Sequence, residues 1–178
     1  MAVCIFGDMI KPIHLDHLDV SVDIFACVKT TLSLPNRVVS VEAHSHDTKL
    51  NMMERVAFIK RDHEIITRRE YDVVVLCTPD NVHLIKPHPV THHTILAQVI
   101  SNLESKIGRQ TAINPNILMG KSLTMDLVAR YSDHHERLTC DQIKYICNGV
   151  NDEANLFYNY VCSRFLNYEN CNLFKWAS

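Results

Sequence analysis

Apolar residues fall along this chain in short runs and stripes that switch between two periods. Residues 2–6 form a wholly apolar run closed by Gly7-Asp8, the pattern of a buried parallel strand. From Leu18 the apolar positions Leu18, Val22, Phe25, Val28 and Leu32 recur at helical spacing, which predicts a helix stopped by Ser33-Leu34-Pro35-Asn36. Arg37 to Val41 reads as a second strand, and a polar loop from His44 to Asn51 follows it. Met52, Met53, Val56 and Ile59 mark a second helix that runs into the charged stretch Lys60 to Glu64. Tyr71 to Leu76, centred on Val73-Val74-Val75, is the clearest strand, and Thr78-Pro79-Asp80-Asn81 closes it with turn chemistry. Beyond the break at Pro87-His88-Pro89, the pattern predicts a helix around Ile95 to Leu103 and a short strand at Ile117-Leu118-Met119. Helices are expected at 123–131, 140–148 and 153–168. Strands alternating with helices imply an α/β fold, a Rossmann-like parallel sheet with flanking helices. Residues 1–150 are expected to form that domain, with 151–178 as its helical C-terminal extension.

Composition narrows the classes of function. A chain of 178 residues with 47% apolar content is long enough to bury one full core. With 18 Lys+Arg against 20 Asp+Glu, a net charge of -2 supplies no global field toward nucleic acid or an anionic membrane. No run reaches the roughly 18 apolar residues of a membrane span. The start, Met1 to Phe6, lacks a basic region and a cleavage site, so no signal peptide is expected. Seven cysteines, an odd count without a CxxC pair, fit reduced thiols in the cytoplasm, with Cys4, Cys27 and Cys77 as small core residues. Only four glycines are present, which argues against a glycine-rich phosphate loop.

In an open parallel sheet, ligands bind at the carboxyl ends of the strands. The segment leaving the first strand, Phe6-Gly7-Asp8-Met9-Ile10-Lys11-Pro12-Ile13-His14-Leu15-Asp16-His17-Leu18, is therefore the first place to look. Two histidines three apart at the start of a helix would face one side, beside the positive end of the helix dipole, where a triphosphate is well received.

Gly7, Pro12, His14, His17 and Leu18 resemble the signature of the HxGH nucleotidyltransferases, which include the nicotinamide mononucleotide and phosphopantetheine adenylyltransferases. Glu54-Arg55, Tyr71 to Val75 and Ser122-Leu123-Thr124 with Arg130 resemble later segments of that family, in the same order. The resemblance implies transfer of an adenylyl or cytidylyl group from a nucleoside triphosphate such as ATP to a small phosphate-bearing acceptor such as nicotinamide mononucleotide, with release of pyrophosphate and with Mg²⁺ on the triphosphate. It implies that His14 and His17 are catalytic. Gly7, Lys11, Arg55, Ser122, Thr124 and Arg130 would bind the nucleotide phosphates, with Ser122 and Thr124 capping a helix.

Other features point to other classes. Asp8 and Asp16 stand where that family carries glycine, which favours a competing reading: an inactive relative, or an unrelated helix-rich interaction protein that oligomerises and binds RNA. His44-x-His46-Asp47, His92-His93 and His134-His135 lack the paired spacing of a zinc site, and no protein-held metal is expected from them. The basic residues Lys60-Arg61 and Arg68-Arg69 are interrupted by acids, so nucleic acid is the minority expectation. The aromatic tail, Phe157 to Trp176, suits packing or self-association better than base stacking.

Overall fold

A computed structural model describes residues 1–9, 12–19, 21–29, 38–43, 48–86, 89–91, 95–105, 108–131 and 137, and of these 98–113 and 115 by their backbone. Six strands form one sheet: β1 (Ala2–Gly7), β2 (Asp23–Val28), β3 (Val38–Ala43), β4 (Val74–Cys77), β5 (Ile95–Ser105) and β6 (Gly108–Gly120). Two α-helices, α1 (Lys49–Thr67) and α2 (Ser122–Ala129), and a 3-10 helix at Pro79–Leu84 complete the described elements. The fold is α/β. Its sheet is mixed rather than parallel: the strand order is β3-β2-β1-β4-β6-β5, the first four strands are parallel, and β6 runs antiparallel to both β4 and β5.

Two element expectations are overturned. The helix expected from Leu18 is instead β2, for a reason visible in its packing. Phe25 and Cys27 point into the core beneath α1, while Ile24, Ala26 and Val28 point into the core on the other face. A strand covered on both faces is apolar at every position, so a helical template finds matches in it by coincidence. The helix expected around Ile95 to Leu103 is β5, where Ile95 and Ala97 face one core and Leu96 the other. The short strand expected at Ile117 to Met119 is the last part of the longer β6, and its antiparallel direction breaks the parallel pattern.

β1 shows the same double burial, with Ala2, Cys4 and Phe6 on the α1 face and Val3 and Ile5 on the other. Full burial of such a side chain contributes about 1.5–3 kcal/mol. The far face is covered by the β1–β2 connection, which inserts Met9, Ile13, Leu15 and Leu18, and by Val82 and Ile85. α1 is capped by Thr48, whose hydroxyl accepts from the Asn51 N–H at 3.2 Å. Its buried stripe of Met52, Met53, Val56 and Ile59 lies on the near face, as the sequence pattern predicts. Cys4, Cys27 and Cys77 are buried free thiols, and burial pushes the Cys4 and Cys77 thiols up.

The first connection covers one face of the sheet and α1 the other, because the chain leaves β1 toward one edge and returns past it toward β4. Right-handed crossovers in opposite directions must lie on opposite faces. The carboxyl ends of β1 and β4 therefore meet at a reversal of strand order. No described helix is long and apolar enough to cross a membrane. The helices expected at 140–148 and 153–168, the C-terminal extension 151–178, Lys11, and the histidines at 44, 46, 92, 93, 134 and 135 lie outside the described residues.

Candidate functional site

At that reversal of strand order lies a cleft of about 250 Å³, lined by Gly7 and Asp8 from the end of β1, Lys29 just after β2, Lys49 at the start of α1, Thr78 and Asp80 after β4, and Asn116. Strand direction assembles this set. Parallel β1, β2 and β4 all bring their carboxyl ends here, and antiparallel β6 delivers Asn116 because Ile117 pairs with Cys77. The Thr78 N–H donates to the Asn116 carbonyl at 2.9 Å and closes the floor.

Gly7 has a φ of +110°, a backbone conformation that side chains disfavour, and the space around it is open: an added Cβ would meet nothing nearer than 3.9 Å. The positive φ turns the chain off the sheet, and the Lys29 N–H donates to the Gly7 carbonyl at 3.3 Å. Lys29 Nζ pairs with Asp8 Oδ1 at 3.0 Å, and Lys49 Nζ donates to the Asn116 side-chain oxygen. Two lysines thus line one cleft, each held by a neighbour.

A second cleft, of about 200 Å³, shares Asp80 with the first and is lined by Pro12, Ile13, His14, Pro79, Val82 and His83. His14 is exposed in it. His17 is placed differently. Its Nε2 lies 3.1 Å from the Val82 carbonyl, which can only accept, so Nε2 carries the proton and spends it there. No helix starts at His17 either, since residues 16–18 form a turn, and the dipole expected to receive phosphate is absent at that point.

A scan of protein-family models and a search of curated proteins find no match to this chain.

Among the described residues, Arg55, Ser122, Thr124 and Arg130 do not line the Gly7 cleft. Gly120 pairs with Val74, at the amino end of β4, so Ser122 starts α2 at the opposite end of the sheet from Gly7. The length of β1, at roughly 3.3 Å per residue, separates the two motifs. Ser122 does not cap α2; the cap position is Lys121. The Ser122 hydroxyl points inward, donates to Glu64 Oε1 at 2.7 Å and accepts from Lys60 Nζ. Lys60, fully buried, also reaches Glu64 Oε2 at 3.0 Å and Asp126 Oδ1 at 2.7 Å, cross-linking α1 to α2. Burial alone would raise the Glu64 carboxyl, but hydrogen bonds from the Tyr71 N–H, Ser122 and Lys60 outweigh it and hold it below its ordinary value. Burial raises the Asp126 carboxyl, with Lys60 opposing.

Thr124 is buried in the same region, and Arg130 lines a groove between α1 and α2 with Arg61, Phe58 and Leu127. Arg55 is engaged by Glu42 of β3 through Nε at 2.6 Å and a second nitrogen at 3.1 Å, and that hydrogen bond raises the Arg55 guanidinium further. Of the expected site residues, then, Gly7 lines the first cleft and His14 the one beside it. Lys29, Lys49, Asp80 and Asn116 escaped the sequence pattern. Thr78-Pro79-Asp80-Asn81 was visible only as a turn, and its place at a strand reversal required the strand order.

Proposed function

We propose that this chain handles a phosphate-bearing nucleotide in the cleft between β1 and β4, and that its reaction is nucleotidyl transfer. The observation that carries the reading is the pair of lysines, Lys29 and Lys49, lining one cleft with the positive-φ turn at Gly7, where α/β sheets ordinarily receive ligands. The start of α1 beside Lys49 adds the positive end of a helix dipole. The order of the four parallel strands supports a Rossmann-like reading of that half of the sheet. Thiols buried as small core residues support a cytoplasmic setting.

In such a transfer the acceptor phosphate attacks the α-phosphorus of the triphosphate in line, and pyrophosphate leaves without a covalent enzyme intermediate. The protein contributes placement and charge compensation. Lys49 and Lys29 would stabilise the charge growing on the leaving pyrophosphate, and His14 would contact the nucleotide from the adjoining cleft. Mg²⁺ would be held mainly by the phosphates and water, with one or two carboxylates at most, its usual mode with nucleotides.

A second reading, binding without turnover, is favoured by the charge balance of the cleft. Asp8 and Asp80 offset the two lysines, and Asp8 already engages Lys29. One experiment separates the readings. ATP with Mg²⁺ is added to the chain and to Lys49→Ala, and melting temperature and pyrophosphate release are followed across a panel of phosphate acceptors. Transfer requires a ligand-induced stabilisation, about 2.7 kcal/mol at a hundredfold excess over Kd, that falls in the variant, together with pyrophosphate. Stabilisation without pyrophosphate for any acceptor leaves binding alone. No stabilisation in either protein overturns both.

A further inference from the structure

We infer that the two clefts form one bipartite site for a nucleoside 5′-monophosphate unit, with the phosphate in the Gly7 cleft, the ribose diol on Asp80 and the base in the cleft between Pro12 and His83. The inference rests on the phosphate reading given above and names the ligand that the same site would take.

Size is the first argument. Ligand sites generally enclose about 300 Å³ or more. Neither cleft reaches that alone, at about 250 and about 200 Å³, but they adjoin through Asp80 and together fall within the range. A ligand that uses both must therefore pass over Asp80.

The chemistry changes across that residue in the order a nucleotide requires. On one side stand two ammonium groups and an open backbone turn, suited to phosphate. On the other, Pro12, Ile13, Pro79 and Val82 give a cleft of about 200 Å³ a largely apolar lining, suited to a flat base, and His14 and His83 line it as well. Between them the exposed Asp80 carboxylate is acceptor-only, and a vicinal diol is its natural donor partner.

The slot is also held open. One wall is the β1–β2 connection and the other is the 3-10 helix, and the His17–Val82 hydrogen bond fixes them to each other. Ile13 and Val82 are anchored in the core of the far face, so the walls are set before any ligand arrives. A preformed slot spares the ligand the cost of ordering its own site.

Calorimetric titration of the full chain tests this with inorganic phosphate, ribose 5-phosphate, the four ribonucleoside 5′-monophosphates and a 2′,3′-dideoxy analogue. At least one ribonucleotide is expected to bind about tenfold more tightly than ribose 5-phosphate. Asp80→Asn, an exposed substitution, should weaken that ribonucleotide about tenfold and leave the dideoxy analogue unchanged. His14→Trp, which fills the slot, should bring nucleotide affinity down to that of ribose 5-phosphate. Equal binding of ribose 5-phosphate and every nucleotide overturns the base slot while the phosphate cleft stands. Equal loss for ribo- and dideoxy-nucleotide in Asp80→Asn overturns the diol contact. Absence of binding by all of these compounds to the folded chain removes the inference and the phosphate reading together.

Discussion

His17 and Val82 are joined across 65 residues of sequence by a single hydrogen bond, with His17 Nε2 lying 3.1 Å from the Val82 carbonyl oxygen. That bond ties the connection after β1 to the 3-10 helix after β4, the two segments that wall the slot beside the strand reversal. Through that bond His17, which the sequence places among the expected catalytic residues, fastens two loops. His17→Ala is expected to cost about 1 kcal/mol, the net value of such a bond, and to lower the melting temperature by roughly 2–4 °C. Phosphate affinity should change by less than about twofold. Loss of phosphate binding with unchanged melting temperature would return His17 to the role of a direct ligand.

Gly7 separates backbone strain from crowding. An added Cβ has room, with its nearest contacts at 3.9 Å, but the φ of +110° is strained for any side chain. Gly7→Ala should therefore destabilise by about 1–3 kcal/mol in chemical unfolding. A neutral substitution would mean that the turn relaxes to another conformation.

Lys60, Glu64, Ser122 and Asp126 form a buried network whose members are unequal. Removing the central cation with Lys60→Met leaves two carboxylates buried without it, and should cost about 3–5 kcal/mol. Asp126→Asn leaves Lys60 its bonds to Glu64 and Ser122 and removes a carboxylate that burial disfavours, so its cost should stay below about 1 kcal/mol. Urea unfolding of both variants checks the order, and equal costs would refute it.

Acid stability follows from the same network. The Glu64 carboxyl is held below its ordinary 4.5, so its contribution is complete above that pH and is lost as pH falls through the folded value. Asp126, raised by burial, acts in the opposite sense, because its protonation on the way down relieves a cost. Glu64→Gln should therefore be less stable than the parent at neutral pH and should lose less additional stability between pH 7 and about pH 3. Unfolding curves at both pH values decide it, and parallel losses in the two proteins would contradict the sign.

Arg55 offers a control away from the cleft. Its paired contact with Glu42 joins α1 to β3 at an exposed position, so Arg55→Ala should change stability by less than about 1 kcal/mol, and by less again in high salt. Nucleotide-induced stabilisation should be unaffected. A loss of that stabilisation would bring Arg55 back among the phosphate ligands.

Much of the architecture is legible in local pattern. The apolar run at 2–6, the β-branched stretch at 73–75, the stripe on α1 and the start of α2 are read correctly because each is decided by its own spacing and neighbours. Gly7 at a strand exit is legible too, since a buried run ended by glycine marks a turn. What spacing cannot carry is which faces are covered. β2 and β5 look helical because strands packed on both sides lose the alternation that identifies them. Strand order decides the rest. Antiparallel β6 places Ser122 at the amino end of β4, so two motifs that read as halves of one phosphate site stand at opposite ends of the sheet, and the same pairing brings Asn116 to Lys49. Residues far apart in the chain become a site only when sheet direction assembles them, and sheet direction is a property of the packed whole.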